Sequence, residues 1–250
     1  MSARTGYLTV ADKPDLLQRP RRFYKLAAAA PVEGGFAVQL DGRTPKSPAR
    51  KPLVLPSLAL AQLVAGEWDA QVEVIDSTAM PATRLAFTAI DRIAETRAEV
   101  AAEVAAYAGS DLLCYHAEHP TPLVERQARE WGAMLDWAKA ELGLGFAPVN
   151  TVVHAPQPPA TLAAVEALAL TLDDFSLAGV AYGAGLLGST VLSLALRAGA
   201  VTGQKALDLS RLEEIFQADI WGQDAEAAAR AQALAIEAEA LDQWFAALRR

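Results

Sequence analysis

The amino-acid sequence predicts an α+β protein, with a β-rich N-terminal domain over residues 1–80 and a larger helical domain over residues 81–250. Two observations carry this reading. Short apolar runs separated by glycine turns fill the first third of the chain. From Pro81 onward the pattern changes to long alanine-rich runs in which apolar residues recur about every 3.6 positions, the period of a helix with one buried face.

Taken in order, residues 23–32, 36–40 and 53–55 read as strands, and Gly34-Gly35 and Asp41-Gly42 as the turns between them. Pro45, Pro48 and Pro52 remove ladder donors, so residues 44–52 read as a loop or a ragged edge strand. Ser57 after Pro56 is a helix N-cap and opens a helix to about Trp68. Helices are then predicted over 82–108, 123–142, 161–171, 177–198, 204–220 and 225–248. Prolines at 120, 122, 148, 156, 158 and 159 punctuate them, and residues 149–153 read as one more strand or an extended connection.

Composition narrows the function. A formal charge of −8 argues against a nucleic-acid partner, because binding phosphates takes a concentrated excess of Lys and Arg. A basic or neutral protein partner fits better. Cys114 is the single cysteine, so there is no internal disulfide and no multi-cysteine zinc site, and a half-buried structural role is expected for it. Charges spread over residues 4–22 leave no apolar stretch for a signal peptide. Residues 175–196 carry no charge and are long enough to span a bilayer. Four glycines, three serines and the lack of a basic flank make that stretch a buried central helix instead.

Gly183-Ala-Gly185-Leu-Leu-Gly188 fits the dinucleotide fingerprint, and Ser189-Thr190 extends it toward a phosphate loop. A phosphate loop needs Lys before its Ser or Thr, and Ser189 stands there. A dinucleotide site needs a second parallel strand ending in an acidic residue, whereas helical spacing follows Gly203. A small NAD-dependent oxidoreductase using Gly183, Gly185 and Gly188 remains the second reading. His116, Glu118 and His119 precede two prolines rather than lying at i and i+4 on a helix, so they read as an exposed polar loop and no metal is expected. His154 is the third histidine.

Two segments interleave polar groups with aromatic ones: Glu67-Trp68-Asp69-Ala-Gln71, and Glu213-Glu214-Ile-Phe216-Gln217 ahead of Trp221-Gly222. Neither has a histidine beside it. Helix neighbours point about 100° apart, so Glu213 and Glu214 cannot both serve one small substrate.

These fragments, with Arg22-Phe23-Tyr24-Lys25, Gly34-Gly35-Phe36, Leu40-Asp41-Gly42-Arg43 and Leu55-Pro56-Ser57, resemble one known family. The likeness continues through Asp111-Leu-Leu-Cys114-Tyr115, Glu130-Trp131, Trp137-Ala138 and Ser210-Arg211. It is to the assembly chaperones that bind the alpha subunit of the F1-ATPase in mitochondria and in alpha-proteobacteria. Two positions depart from the pattern: Gly188 stands where relatives often carry Lys, and Gly132 where Asp commonly follows the tryptophan. The resemblance implies a protein with no catalysis and no cofactor that shields an unassembled alpha subunit. It implies partner contacts at Glu213, Glu214, Gln217, Asp69 and Gln71, and structural roles for Trp68, Phe216 and Trp221. The absent presequence and the high alanine content fit a bacterial cytoplasmic member better than a precursor bound for the mitochondrial matrix, where eukaryotic relatives act.

Overall fold

The computed structural model describes residues 19–151, 153, 155–222 and 225–249. An antiparallel sheet, order β1-β2-β3, is built from β1 (Ala27–Val32), β2 (Gly35–Leu40) and β3 (Val54–Leu55). Val32 pairs with Gly35 across a two-residue turn, and a side chain on Gly35 would meet the Leu55 carbonyl at 2.4 Å, so only glycine lets β3 approach. Asp41 and Gly42 both have positive φ, 47° and 80°, the backbone of a tight hairpin turn that suits Asp-Gly. The first strand starts four residues later than its apolar run, because the Lys25 and Leu26 amides donate to the Asp41 carboxylate instead of to a ladder. These bonds hold the Asp41 carboxyl below its ordinary pKa.

Ten helices follow among the described residues. Helix α1 (Leu58–Asp69) is capped by Ser57, whose hydroxyl accepts from the Leu60 amide at 3.1 Å. It buries Leu60, Ala61, Val64, Ala65 and Trp68 between the sheet and the helices beyond. The predicted helix over 82–108 is instead α2 (Pro81–Thr88), a π turn (Ala89–Ile93) and α3 (Ala94–Ala108), with a non-helical Thr96. No Gly or Pro marks this break. The loop 44–52 holds it: Asp91 accepts from Ser47 and from the Ala49 amide, and the Lys51 ammonium takes the Ile90 carbonyl at 3.1 Å.

Helices α4 (Thr121–Leu142), α5 (Pro159–Thr171) and α10 (Ala225–Leu248) match their predicted runs to within two residues. Residues 144–151 and 155–158 belong to a connection without helix, with one bridge from Tyr115 to Val149; Val152 lies outside the described residues. Two predicted helices are each divided. The central helix over 177–198 is α6 (Asp174–Leu187) and α7 (Thr190–Ala198), because Gly188 turns left-handed at φ 63° and Ser189 caps a new helix. Helix α7 folds back on α6, the Ser193 hydroxyl donating to the Val180 carbonyl at 2.9 Å. The run over 204–220 divides at Arg211 (φ −110°) into α8 (Gly203–Ser210) and α9 (Leu212–Trp221).

Buried apolar residues form one continuous cluster from Tyr24 and Val38 in the β-rich part to Trp244 and Phe245 on α10. The core therefore runs across the boundary at residue 80.

Asp111 lies inside this core with 0% exposure. Its carboxylate accepts from the Val191 amide (3.0 Å) and the Leu113 amide (3.1 Å), so it caps the first turn of α7. Burial pushes its pKa from 3.8 to about 6, against the pull of those bonds. The folded chain therefore binds more protons than the unfolded chain between about pH 4 and 6. This group's contribution to stability is greatest below that window, falls as pH rises through it, and stays constant above it. Asp111→Asn should remove the dependence. The stability difference between wild type and variant, from urea unfolding, should change by up to about 3 kcal/mol between pH 4 and 7. A difference independent of pH contradicts the assignment.

Candidate partner-binding surface

The motif residues gather in two places. The first is the junction between α1 and the chain entering the sheet. Arg22 donates to the carbonyls of Asp69 (2.8 Å) and Gln71 at the end of α1, and to the Asp69 carboxylate at 3.2 Å. A cation there satisfies orphan carbonyls and complements the helix dipole. The Tyr24 hydroxyl donates to the Trp68 carbonyl at 2.6 Å, and the Arg22 guanidinium sits 4.7 Å over the Tyr24 ring. Glu67 reaches the next helix. Its carboxylate accepts from the Ala82 and Thr83 amides, each at 2.7 Å, and from the Thr83 hydroxyl. It thereby caps α2 from a neighbouring element, and burial raises its pKa.

Gln71 belongs to this framework and not to a contact surface. It is 7% exposed; its amide donates to the Glu67 carbonyl at 3.0 Å and its carbonyl oxygen accepts from the Asp76 amide at 2.8 Å. With both ends engaged inside the molecule it has nothing to offer a partner, which corrects the expectation for this residue. Asp69 keeps about half of its side chain exposed beside Arg22. Trp68 is 8% exposed, and its indole N–H has no partner among the described residues.

The second place is α9, which packs on α4 and α8. Trp131, fully buried on α4, donates to the Leu209 carbonyl at 2.9 Å, and Lys205 bridges to Glu130 at 2.7 Å. Leu212 is buried and Phe216 packs partly against the core, which turns the acidic residues outward. Glu213 accepts at 2.6 Å from Gln127, a fully buried amide whose other end takes the Ala117 N–H. Glu214 points elsewhere and accepts from Arg211 at 2.6 Å. Gln217 is exposed. Trp221, the last residue of α9, is 81% exposed, so it fills no core and its expected structural role is corrected.

Between α9 and the first half of α10 the chain leaves two adjoining clefts of about 480 and 510 Å³. Arg211, Glu214 and Ala218 line both, and Trp221 stands at the edge of one. Nothing in the α10 sequence reveals this wall, because the alanines there read as helix formers and not as a surface.

The glycine motif holds no ligand-binding loop. Gly183 and Gly185 lie inside α6, Gly188 ends it, and the following helix N-terminus is occupied by the protein's own Asp111. The sheet is antiparallel, so the dinucleotide reading has no frame. Cys114 is fully rather than half buried, and burial together with nearby Asp111 pushes its thiol up to about 12. His116 is half-buried, its Nε2 3.1 Å from the Leu113 carbonyl and its ring against Trp131; His119 is exposed and His154 lies outside the described residues. Among the described residues no three His, Cys, Asp or Glu side chains are grouped to hold a metal, and no helix is long and apolar enough to cross a membrane.

Comparison with known proteins fits this architecture. The family described as ATP12 chaperone protein matches residues 21–139. The mitochondrial protein atp12 of Schizosaccharomyces pombe is 26% identical over 231 residues, 86% of this chain and 78% of that protein. The crystal structure of Atp12 from Paracoccus denitrificans is 41% identical with a TM-score of 0.82, covering 90% of this chain and 97% of that one. This chain belongs to the ATP12 chaperone family. The Atu1473 protein of Agrobacterium tumefaciens is similar as well, at 42% identity and a TM-score of 0.86, covering 92% of this chain and 86% of that one. The ATP12 family match spans both the Arg22–Trp68 junction and the α4 residues that carry α9.

Trp68 yields a test of the junction. Trp68→Arg would place a cation without a partner in the core and should cost more than about 3 kcal/mol, giving an insoluble or early-melting protein. Trp68→Phe removes an N–H that already has no partner and should be the milder change by thermal melting. Equal losses from both would show that the cost does not come from the buried cation.

Proposed function

We propose that this chain is an assembly chaperone of the ATP synthase that binds the unassembled alpha subunit of F1, keeps it from aggregating, and releases it to beta subunits. The observation that carries the reading is the likeness to Atp12 proteins over nine-tenths of the chain together with a helix that turns Glu213, Glu214, Gln217 and Trp221 to solvent. An exposed tryptophan beside charged groups is the usual composition of an interface anchor. A subunit interface left bare before its partner arrives is apolar enough to aggregate. The chaperone must therefore cover it and still let go, which favours charged groups that set specificity and encounter rate over a large permanent apolar interface. Asp69, exposed beside Arg22, is a further contact on this reading. The working compartment is the bacterial cytoplasm, and the chain acts without catalysis or cofactor.

Refolding of the alpha subunit, followed by light scattering, tests this. Wild type should suppress aggregation at near-equimolar ratio; no suppression at tenfold excess contradicts the reading. The Gln127 bond makes the choice of variant matter. Glu213→Gln keeps an acceptor for Gln127 and removes only the charge, so it should melt as wild type does while protecting less. Glu213→Lys also leaves a buried amide unpaired, so it should lose about 1 to 3 kcal/mol of stability as well. Glu213→Gln protecting as well as wild type would make this carboxylate part of the framework only.

A further inference from the structure

We propose that the groove between α9 and the first half of α10 receives a helical segment of the client, with an apolar stripe flanked by Lys or Arg. The identity of the client rests on the function proposed above; the chemistry of the segment rests on the groove.

Three features define that chemistry. The walls are helices, so their backbone amides and carbonyls are already paired within them. An extended segment laid between them would leave its own main chain unpaired against apolar side chains, whereas a helix arrives with its backbone satisfied. The floor is made of small residues, Ala218 on α9 and Ala227, Ala228, Ala231 and Ala235 on α10, with Ile215 and Leu234 among them. Small residues let a third helix axis come close, and no side chain of the described residues fills the space.

The third feature is charge. Residues 204–239 hold eight of the chain's 30 acidic residues and only three of its 22 basic ones. All three bases are already engaged: Lys205 with Glu130, Arg211 with Glu214, and Arg230 with Glu226. Of the acids that line the clefts, Glu214 pairs with Arg211 and Asp219 with Arg126 of α4 at 3.6 Å, whereas Asp208 has the neutral Gln204 as its partner. A cationic segment is drawn to such a rim and an acidic one is repelled. Trp221, 81% exposed, lines one of the clefts at the end of α9 and would close over an apolar side chain lying in the groove.

The test uses the full chain and two synthetic helical peptides of equal length, one of leucine and lysine, the other of leucine and glutamate. Trp221 emission is read as the difference between wild type and Trp221→Phe. The lysine peptide should shift that emission to the blue and bind at least tenfold more tightly than the glutamate peptide, and the preference should shrink in high salt. Ala228→Trp, at an exposed position, and Ala231→Arg should each weaken lysine-peptide binding at least tenfold with an unchanged melting curve. Equal binding of the two peptides, or binding untouched by both variants, overturns the proposal. So does a concentration-dependent dimer in sedimentation that Ala228→Trp abolishes, which would assign the groove to a second copy of the chain. The peptide measurements do not involve the alpha subunit, so a wild type that binds the lysine peptide yet fails to protect that subunit refutes the proposed client and leaves the groove standing.

Discussion

Helix α1 has two bodies to hold, the sheet and the helices, and side chains tie both of its ends to distant parts of the chain. At its start the Ser57 hydroxyl caps α1 and also donates to the Ala247 carbonyl near the end of α10, at 2.8 Å. At its finish Arg22 gathers the last carbonyls, Tyr24 takes the Trp68 carbonyl, and Glu67 passes on to cap α2. Each helix end leaves backbone groups that must be paired when they are buried. In a chain so rich in alanine few long side chains are at hand to do this, so the polar residues that do it carry a large share of the specificity of the fold. The same rule operates at Asp111, which caps α7, and at Arg97, whose guanidinium serves the Leu170 and Leu172 carbonyls at the end of α5 and pairs with Asp174 at the start of α6.

This framework leaves one part lightly held. Helix α8 is fixed at its start, where the Gly203 amide donates to Asp242 and a side chain on Gly203 would strike the Ala238 carbonyl. Helix α9 then leaves the bundle at Arg211 with only Leu212 fully buried. A helix so little buried costs little to displace, which suits an element that must take up and give back a partner. The acidic pair on it is divided by geometry. Glu213 is braced by a buried amide, and Glu214 borders the groove beside Arg211. One of the two therefore has a part in the framework as well as a surface to present.

Much of the fold was legible because the local signals are chemical and short in range. Ser57 after Pro56 and the Asp41-Gly42 turn sit where the backbone needs them, the first hairpin turns at Glu33-Gly34, one residue ahead of the expected glycine pair, and the long alanine-rich runs became helices. The breaks were harder. The π turn is held by Ser47 and Lys51, some forty residues away, and no local signal marks it. At Gly188-Ser189 the signal was present, a left-handed stop followed by an N-cap, but unbroken hydrophobicity hid it, and Asp111 which completes that cap is far off in sequence. In the candidate site the order of motifs pointed to α9. Gln71 and Trp221 were exchanged in role, the one buried and the other exposed, because a pattern of residue types does not say which face of a short element meets the core. The α10 wall of the groove had no signal, since alanine is equally at home in a helix interior and on a shallow floor.

Hydrogen exchange read by mass spectrometry, on the full chain with and without unfolded-then-diluted alpha subunit, tests the central claim most directly, because it reports on every helix at once. Binding through α9 and its neighbour predicts slowed exchange in residues 211–222 and 225–237, with little change in α1 and at its Arg22 and Glu67 ties. Slowed exchange confined to the sheet and α1, or no slowing anywhere under conditions where the alpha subunit stays soluble, would contradict it.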